Sequence, residues 1–172
     1  MLFGMTKPAA VLHAKSAIVW LRIASSLAWI ASACIGKDAT ISPAFWHGGE
    51  MASRVTQTLI HSALDSRVAQ VLTWYVAPHA AVFVLLIGAA DVAAGVLLAF
   101  GLFVRLGSAI AIARAGLNIL VAGGAGTVTI GYNALLIVIA AICIATAAGR
   151  RFGIDEMLIN RFPRMAVLRL VA

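Results

Sequence analysis

The chain has 172 residues, 63% of them hydrophobic and only 11% charged, with a formal net charge of +7. A soluble domain carries about a quarter charged residues, so the composition excludes one and points to an integral membrane protein. At roughly 20 residues per span the length suits one bundle of about four helices, with no room for a separate soluble catalytic domain.

The first span is expected over residues 16–35. Lys15, the apolar run and Ala31, Ser32 and Ala33 before Cys34 imitate a lipoprotein cleavage site. Ala31 stands where such sites favour a larger aliphatic residue and the run is long, so the segment is read as a retained span. Residues 37–77 form an external connection whose charges balance, Lys37, Arg54 and Arg67 against Asp38, Glu50 and Asp65. Within it Met51, Val55, Leu59, Ala63, Val68, Val71 and Leu72 recur at helical spacing, broken near Asp65, which suits a helix cap. These residues predict one or two helices lying on the outer surface, flanked by Phe45, Trp46, Trp74 and Tyr75 as an aromatic belt. The second span is expected over 80–103 and the third over 106–122, joined by a turn at residues 104–106 so short that they form an antiparallel hairpin. The fourth follows over 131–148, and 149–172 make an amphipathic cytoplasmic tail. The whole reads as a single all-α membrane domain, a four-transmembrane-helix bundle with an external interfacial helical segment.

Seven of the thirteen basic residues, Lys7, Lys15, Arg150, Arg151, Arg161, Arg164 and Arg169, lie in the two terminal segments. With Arg105 they fall on one side of the spans, whereas residues 123–130 carry no charge, so both termini are expected in the cytoplasm. This pattern argues for contact with anionic lipid headgroups and against nucleic acid. Cys34 and Cys143 sit at different depths, too far apart for a disulfide, which needs Cα atoms within about 7 Å. No CxxC, haem-attachment, zinc or flavin motif is present, and His13, His47 and His61 are scattered, so no haem, flavin or metal is expected.

Three spans carry an ionisable residue well inside: Arg22, Asp91 and Arg114. A charge at mid-bilayer costs roughly 3 kcal/mol on the insertion scale and needs a partner or a polar cavity. Gly88, Asp91, Gly95 and Ala99 share one helical face, and Gly107, Ala111, Arg114 and Asn118 share another. Asp91 and Arg114 then meet at similar depth on neighbouring helices. Thirteen large aliphatic or Phe residues outweigh Asp91 in the second span, but the seven of the third supply only roughly 2 to 4 kcal/mol against Arg114. Two readings of the pair stand: it fixes hairpin register, or it belongs to a site. Arg22 likewise either snorkels to the headgroups or follows Ser25, Ser26 and Ser32 into the bundle. His79, Asn118, Tyr132 and Asn133 gather at the outer ends of their spans, as donors for a quinone headgroup or small anion, or as ordinary interfacial anchors.

From Pro78 to Asp155 the chain resembles the DoxX superfamily, most closely the DoxD-type small subunit of thiosulfate:quinone oxidoreductase. The resemblance rests on Pro78 and His79, an acidic residue four before a Gly in the second span, GLFVRLG at 101–107, GYN at 131–133 and GRRFGID at 149–155. Their order and spacing carry it, since no single piece is specific. In that family Glu usually stands where Asp91 does, and the third helix is usually apolar at Arg114. The resemblance implies a prokaryotic plasma-membrane subunit of a complex that oxidises thiosulfate to tetrathionate, holding quinone or anchoring a redox partner rather than catalysing alone. The alternative is a non-enzymatic assembly or scaffold subunit of a respiratory, photosynthetic or secretion complex. Small-solute transport would call for inverted repeats or broken helices, which the sequence does not display.

The charge asymmetry predicts a labelling pattern. With Cys34 replaced by Ser, an impermeant thiol reagent on intact cells should modify a Cys at Gly126 and miss one at Ala172; the reverse pattern would invert the topology.

Overall fold

The computed structural model describes residues 7–34, 49–146, 148 and 153–161. Phe45 and Trp46 of the expected belt, and 149–152 and 162–172 of the expected tail, lie outside the described residues. All described elements are helical: α1 (Lys7–Cys34), α2 (Gly49–His61), α3 (Ser66–Val71), α4 (Ala80–Phe100), α5 (Val104–Ala122), α6 (Thr127–Ala145) and α7 (Ile154–Arg161). Four stretches are long and apolar enough to cross a membrane, Ser16–Cys34, Ser66–Phe100, Val104–Ala125 and Thr127–Ala145, so the chain is a multi-pass all-α membrane bundle. α1 packs on α4, α4 on α5, α5 on α6, and α6 returns to α1. Trp29, Leu98, Val104 and Leu136 fill the centre, with alanines of α4, α5 and α6 between them.

Small residues let these helices close on one another. A Cβ on Gly95 would stand 2.6 Å from Ile30 Cγ1 and 3.2 Å from the Ser26 carbonyl, so α1 crosses α4 at a distance only glycine allows. On the opposite seam a Cβ on Gly107 would stand 2.8 Å from Leu97 Cβ.

The second membrane stretch begins well before the expected Ala80, at Ser66. Its 35 residues exceed the roughly 20 that a hydrocarbon core needs, and the helical winding changes around Pro78. Proline lacks an N–H and its ring crowds the carbonyl four residues back, which a wider turn relieves. Accordingly Leu72–Val76 form a π-helical turn, with the Ala77 N–H donating to the Leu72 carbonyl, and Ala77–His79 a 3-10 turn. Trp74 and Tyr75 on this bend are exposed, as belt residues are.

α2 does not lie free on a surface. It buries Ala52 and Thr56 and, with Val55, packs against Ala80, Phe83 and Val84 of α4. The chain beyond it is tied to the end of α5: the Leu64 N–H donates to the Leu120 carbonyl at 3.0 Å, and the Gly124 N–H to the Ser62 carbonyl at 2.9 Å. α2 thus roofs one end of the bundle.

At the other end the hairpin turn falls at 101–103, not at 104–106, which is already helix. Gly101, at φ 62°, closes α4 as glycine commonly does, while Phe103 holds a left-handed conformation at φ 47° that is uncommon for a side-chain-bearing residue. Asp155 explains why Phe103 stays there. Its fully buried carboxylate accepts the Phe103 N–H at 2.7 Å and the Val104 N–H at 3.1 Å, and its own N–H donates to the Gly101 carbonyl at 3.0 Å. It caps α5 from far along the chain, satisfying N–H groups that a first turn leaves open.

Hydrogen bonds to a charged group contribute about 1.5–3 kcal/mol each. Asp155→Ala should therefore lower stability by about 3 kcal/mol or more in a detergent unfolding titration, and Asp155→Asn by less. Equal stability of Asp155→Ala and wild type would remove the cap from the account.

Candidate functional site

Asp91 lies midway along α4 on the face that also carries Gly88, Ala94 and Gly95, all buried, so its side chain points into the bundle. Arg114 lies midway along α5, between the buried Ala111 and Ala115. The α4–α5 turn brings the two to one level. Arg114 Nε stands 2.9 Å from Asp91 Oδ1, with a longer 3.5 Å contact from Nη2 to Oδ2. Their side chains are only 12% and 4% exposed, so the attraction operates away from water. Ser32 of α1 adds a weak donor 3.5 Å from Oδ2.

The pair borders a cavity of about 200 Å³. Ser32 of α1, Val84, Ile87 and Asp91 of α4, and Arg114, Asn118 and Val121 of α5 form its walls, with Val55 and Leu59 of α2 lining the side toward that helix. One end is charged and the rest apolar. Asn118 Nδ2 donates at 3.1 Å to Asn133 Oδ1, and Asn133, buried on α6, donates from Nδ2 to the Thr129 carbonyl at 2.8 Å. That chain fixes the Asn118 amide at the cavity wall and leaves its Oδ1 and one N–H for another partner.

The expected residues thus divide. Asp91, Arg114 and Asn118 converge on the cavity, and Asn133 stands behind Asn118. Tyr132 is 49% exposed and His79 exposed at the Pro78 bend, and neither lines the cavity. Arg22 is far from it and does not snorkel. At 2% exposure it points inward, donating from Nη1 to the Ala148 carbonyl at 2.9 Å beyond the end of α6, within electrostatic reach of Asp155. Nη1 also occupies the space a Cβ on Gly101 would need, 2.5 Å away. Arg22, Gly101 and Asp155 are therefore one structural cluster. Asp155 was absent from the sequence-derived candidates although it ends the GRRFGID segment; an acidic residue closing a conspicuous motif was its only signal.

Val55 and Leu59 were also missed as site residues, because helical spacing predicts α2's apolar face without saying what it covers. Cys34 is exposed and Cys143 buried, both free. Among the described residues no three His, Cys, Asp or Glu side chains converge as metal ligands.

A double-mutant cycle tests the pair. Asp91→Asn should cost about 3–5 kcal/mol by stranding the guanidinium, and Asp91→Asn with Arg114→Leu should recover most of it in thermal unfolding. Simple addition of the two single effects would mean that the pair does not interact.

Compared with known proteins, residues 17–171 match the model of the DoxD family, described as the TQO small subunit DoxD. Neither a curated protein nor a solved structure matches the chain.

Proposed function

The chain belongs to the DoxD family, and from that premise we propose that it is the membrane subunit of a thiosulfate:quinone oxidoreductase complex that holds the quinone head group beside Asp91 and Arg114. One observation carries the reading: a buried ion pair, with an anchored amide next to it, opens onto a cavity inside an apolar bundle. Ligand sites combine an apolar slot with a few fixed polar groups in this way.

In the overall reaction two thiosulfate anions join through a new sulfur–sulfur bond as tetrathionate and release two electrons. Quinone takes up those electrons with two protons to become quinol. The sulfur chemistry belongs to partner subunits of the complex. This chain's residues act on the head group. As electrons arrive, negative charge builds on the head-group oxygens, and a guanidinium already oriented in a low-dielectric site stabilises it without reorganising. Asp91 holds that guanidinium in place, and Asn118, held by Asn133, supplies a hydrogen bond to a second oxygen. The membrane is the prokaryotic plasma membrane, with both termini cytoplasmic and the α2 roof on the outer side, as the terminal basic residues favour. His79 and Tyr132 lie outside this clamp.

Losing one hydrogen bond costs about 1 kcal/mol, roughly fivefold. Asn118→Leu should lower kcat/KM for quinone about fivefold in the reconstituted complex, with subunit assembly unchanged. Unimpaired turnover would favour the scaffold reading, in which the polar interior serves packing alone.

A further inference from the structure

The cavity beside the ion pair is smaller than most ligand sites, which run roughly 300–1,000 Å³. It suits a ring and not a ring with a long apolar tail. A second hollow lies on the other side of Arg114. This groove of about 340 Å³ runs along the α4–α5 seam, where Phe83, Leu86 and Ala90 of α4 face Ile110, Ala113 and Leu117 of α5. Arg114 and Ile87 line both hollows, so these two side chains alone are common to the polar cavity and the apolar groove.

The groove opens outward. Leu86 is 62% exposed, and Ala113 is exposed as well, on a seam between two membrane-spanning helices, so its surroundings are lipid tails rather than water. Its width comes from composition: Ala90 and Ala113 stand where larger side chains would close the seam. At its inner edge Arg114 keeps Nε 2.9 Å from Asp91 and donates to it from Nη2, while Nη1 has no hydrogen-bond partner and Nε none that is aligned. A cationic donor at the end of an apolar slot matches an amphiphile with an oxygen-bearing head and a hydrocarbon tail, and a plain acyl chain leaves that donor unused. A further apolar hollow of about 320 Å³ shares Phe83 and Leu117 with the groove and extends it toward Val71 and Leu72.

We infer that the groove between α4 and α5 is a lateral portal: a tailed quinone comes to its site from within the bilayer, passes its head group at the Arg114 and Ile87 septum, and leaves its tail in the seam. The inference rests on the quinone reading above. It assigns α2 the role of a closed roof and Ala90 and Ala113 that of keeping the seam open.

Two measurements on the complex in liposomes test it. The first uses a benzoquinone whose alkyl tail ends in a photoreactive azide, with labelled peptides located by mass spectrometry. Tail label on residues 83–90 and 110–117, removed by excess unlabelled quinone, is the expected result. Competed label elsewhere on this chain, such as on α2, would keep the quinone site and overturn the portal. No competed label on this chain would overturn the quinone reading, and the portal with it. In the second, Ala113→Phe fills the seam from its lipid face without entering the core. It should raise KM about tenfold for a decyl-tailed benzoquinone and leave a tail-less benzoquinone unaffected. An equal effect on both quinones, or on neither, would overturn the portal.

Discussion

An ionised group in a hydrocarbon layer needs an opposite charge, and the hairpin of α4 and α5 is organised around that demand. α5 is not self-sufficient as a span, because its apolar residues barely offset one arginine. Its place in the membrane depends on Asp91 at the same level of α4, 2.9 Å away. Small residues on both faces allow the approach, and the tight turn sets the register. The same pair also forms a charged wall of a cavity. The hairpin and the charged end of the cavity share this contact, so neither can shift without the other.

The opposite end of the bundle is tied together differently. There the Asp155 carboxylate caps α5 and holds Phe103 in its left-handed turn, while Arg22 reaches from α1 to a carbonyl beyond α6. Gly101 lies between them because no side chain fits there. Gly101, Phe103 and Val104 of GLFVRLG and Asp155 of GRRFGID, two segments that carry the family resemblance, meet in this cluster. These residues hold helix ends and turn geometry. Shared motifs of this kind transmit a fold more securely than a reaction, which lives in the site residues.

The bundle thus divides its work along its length. The Asp155 end is tied by hydrogen bonds that stay within the protein. The α2 end combines a roof, a small polar cavity and an apolar seam that meets the cavity at Arg114. Asp91 and the arginine on α5 meet side by side at one end of that cavity. A carboxylate meets a guanidinium from the neighbouring helix, and the pair remains compact within the apolar bundle.

Much of this was determined by the sequence alone. The runs of apolar residues dictated four spans, because backbone in lipid must satisfy its own hydrogen bonds as helix. The short link between the second and third spans dictated a hairpin, and equal depth then brought Asp91 to Arg114. Only the tertiary structure decided which polar residues share a space. Side chains at like depth still point around a full circle, so Asn118 joins the cavity and Asn133 backs it, while His79 and Tyr132 face outward. It also decided the partners of Arg22 and Asp155, since contacts spanning 126 residues for Arg22 and 51 and 52 for Asp155 leave no periodic trace, and it placed α2 as a roof, because an amphipathic helix looks the same in sequence whether it covers lipid or a cavity.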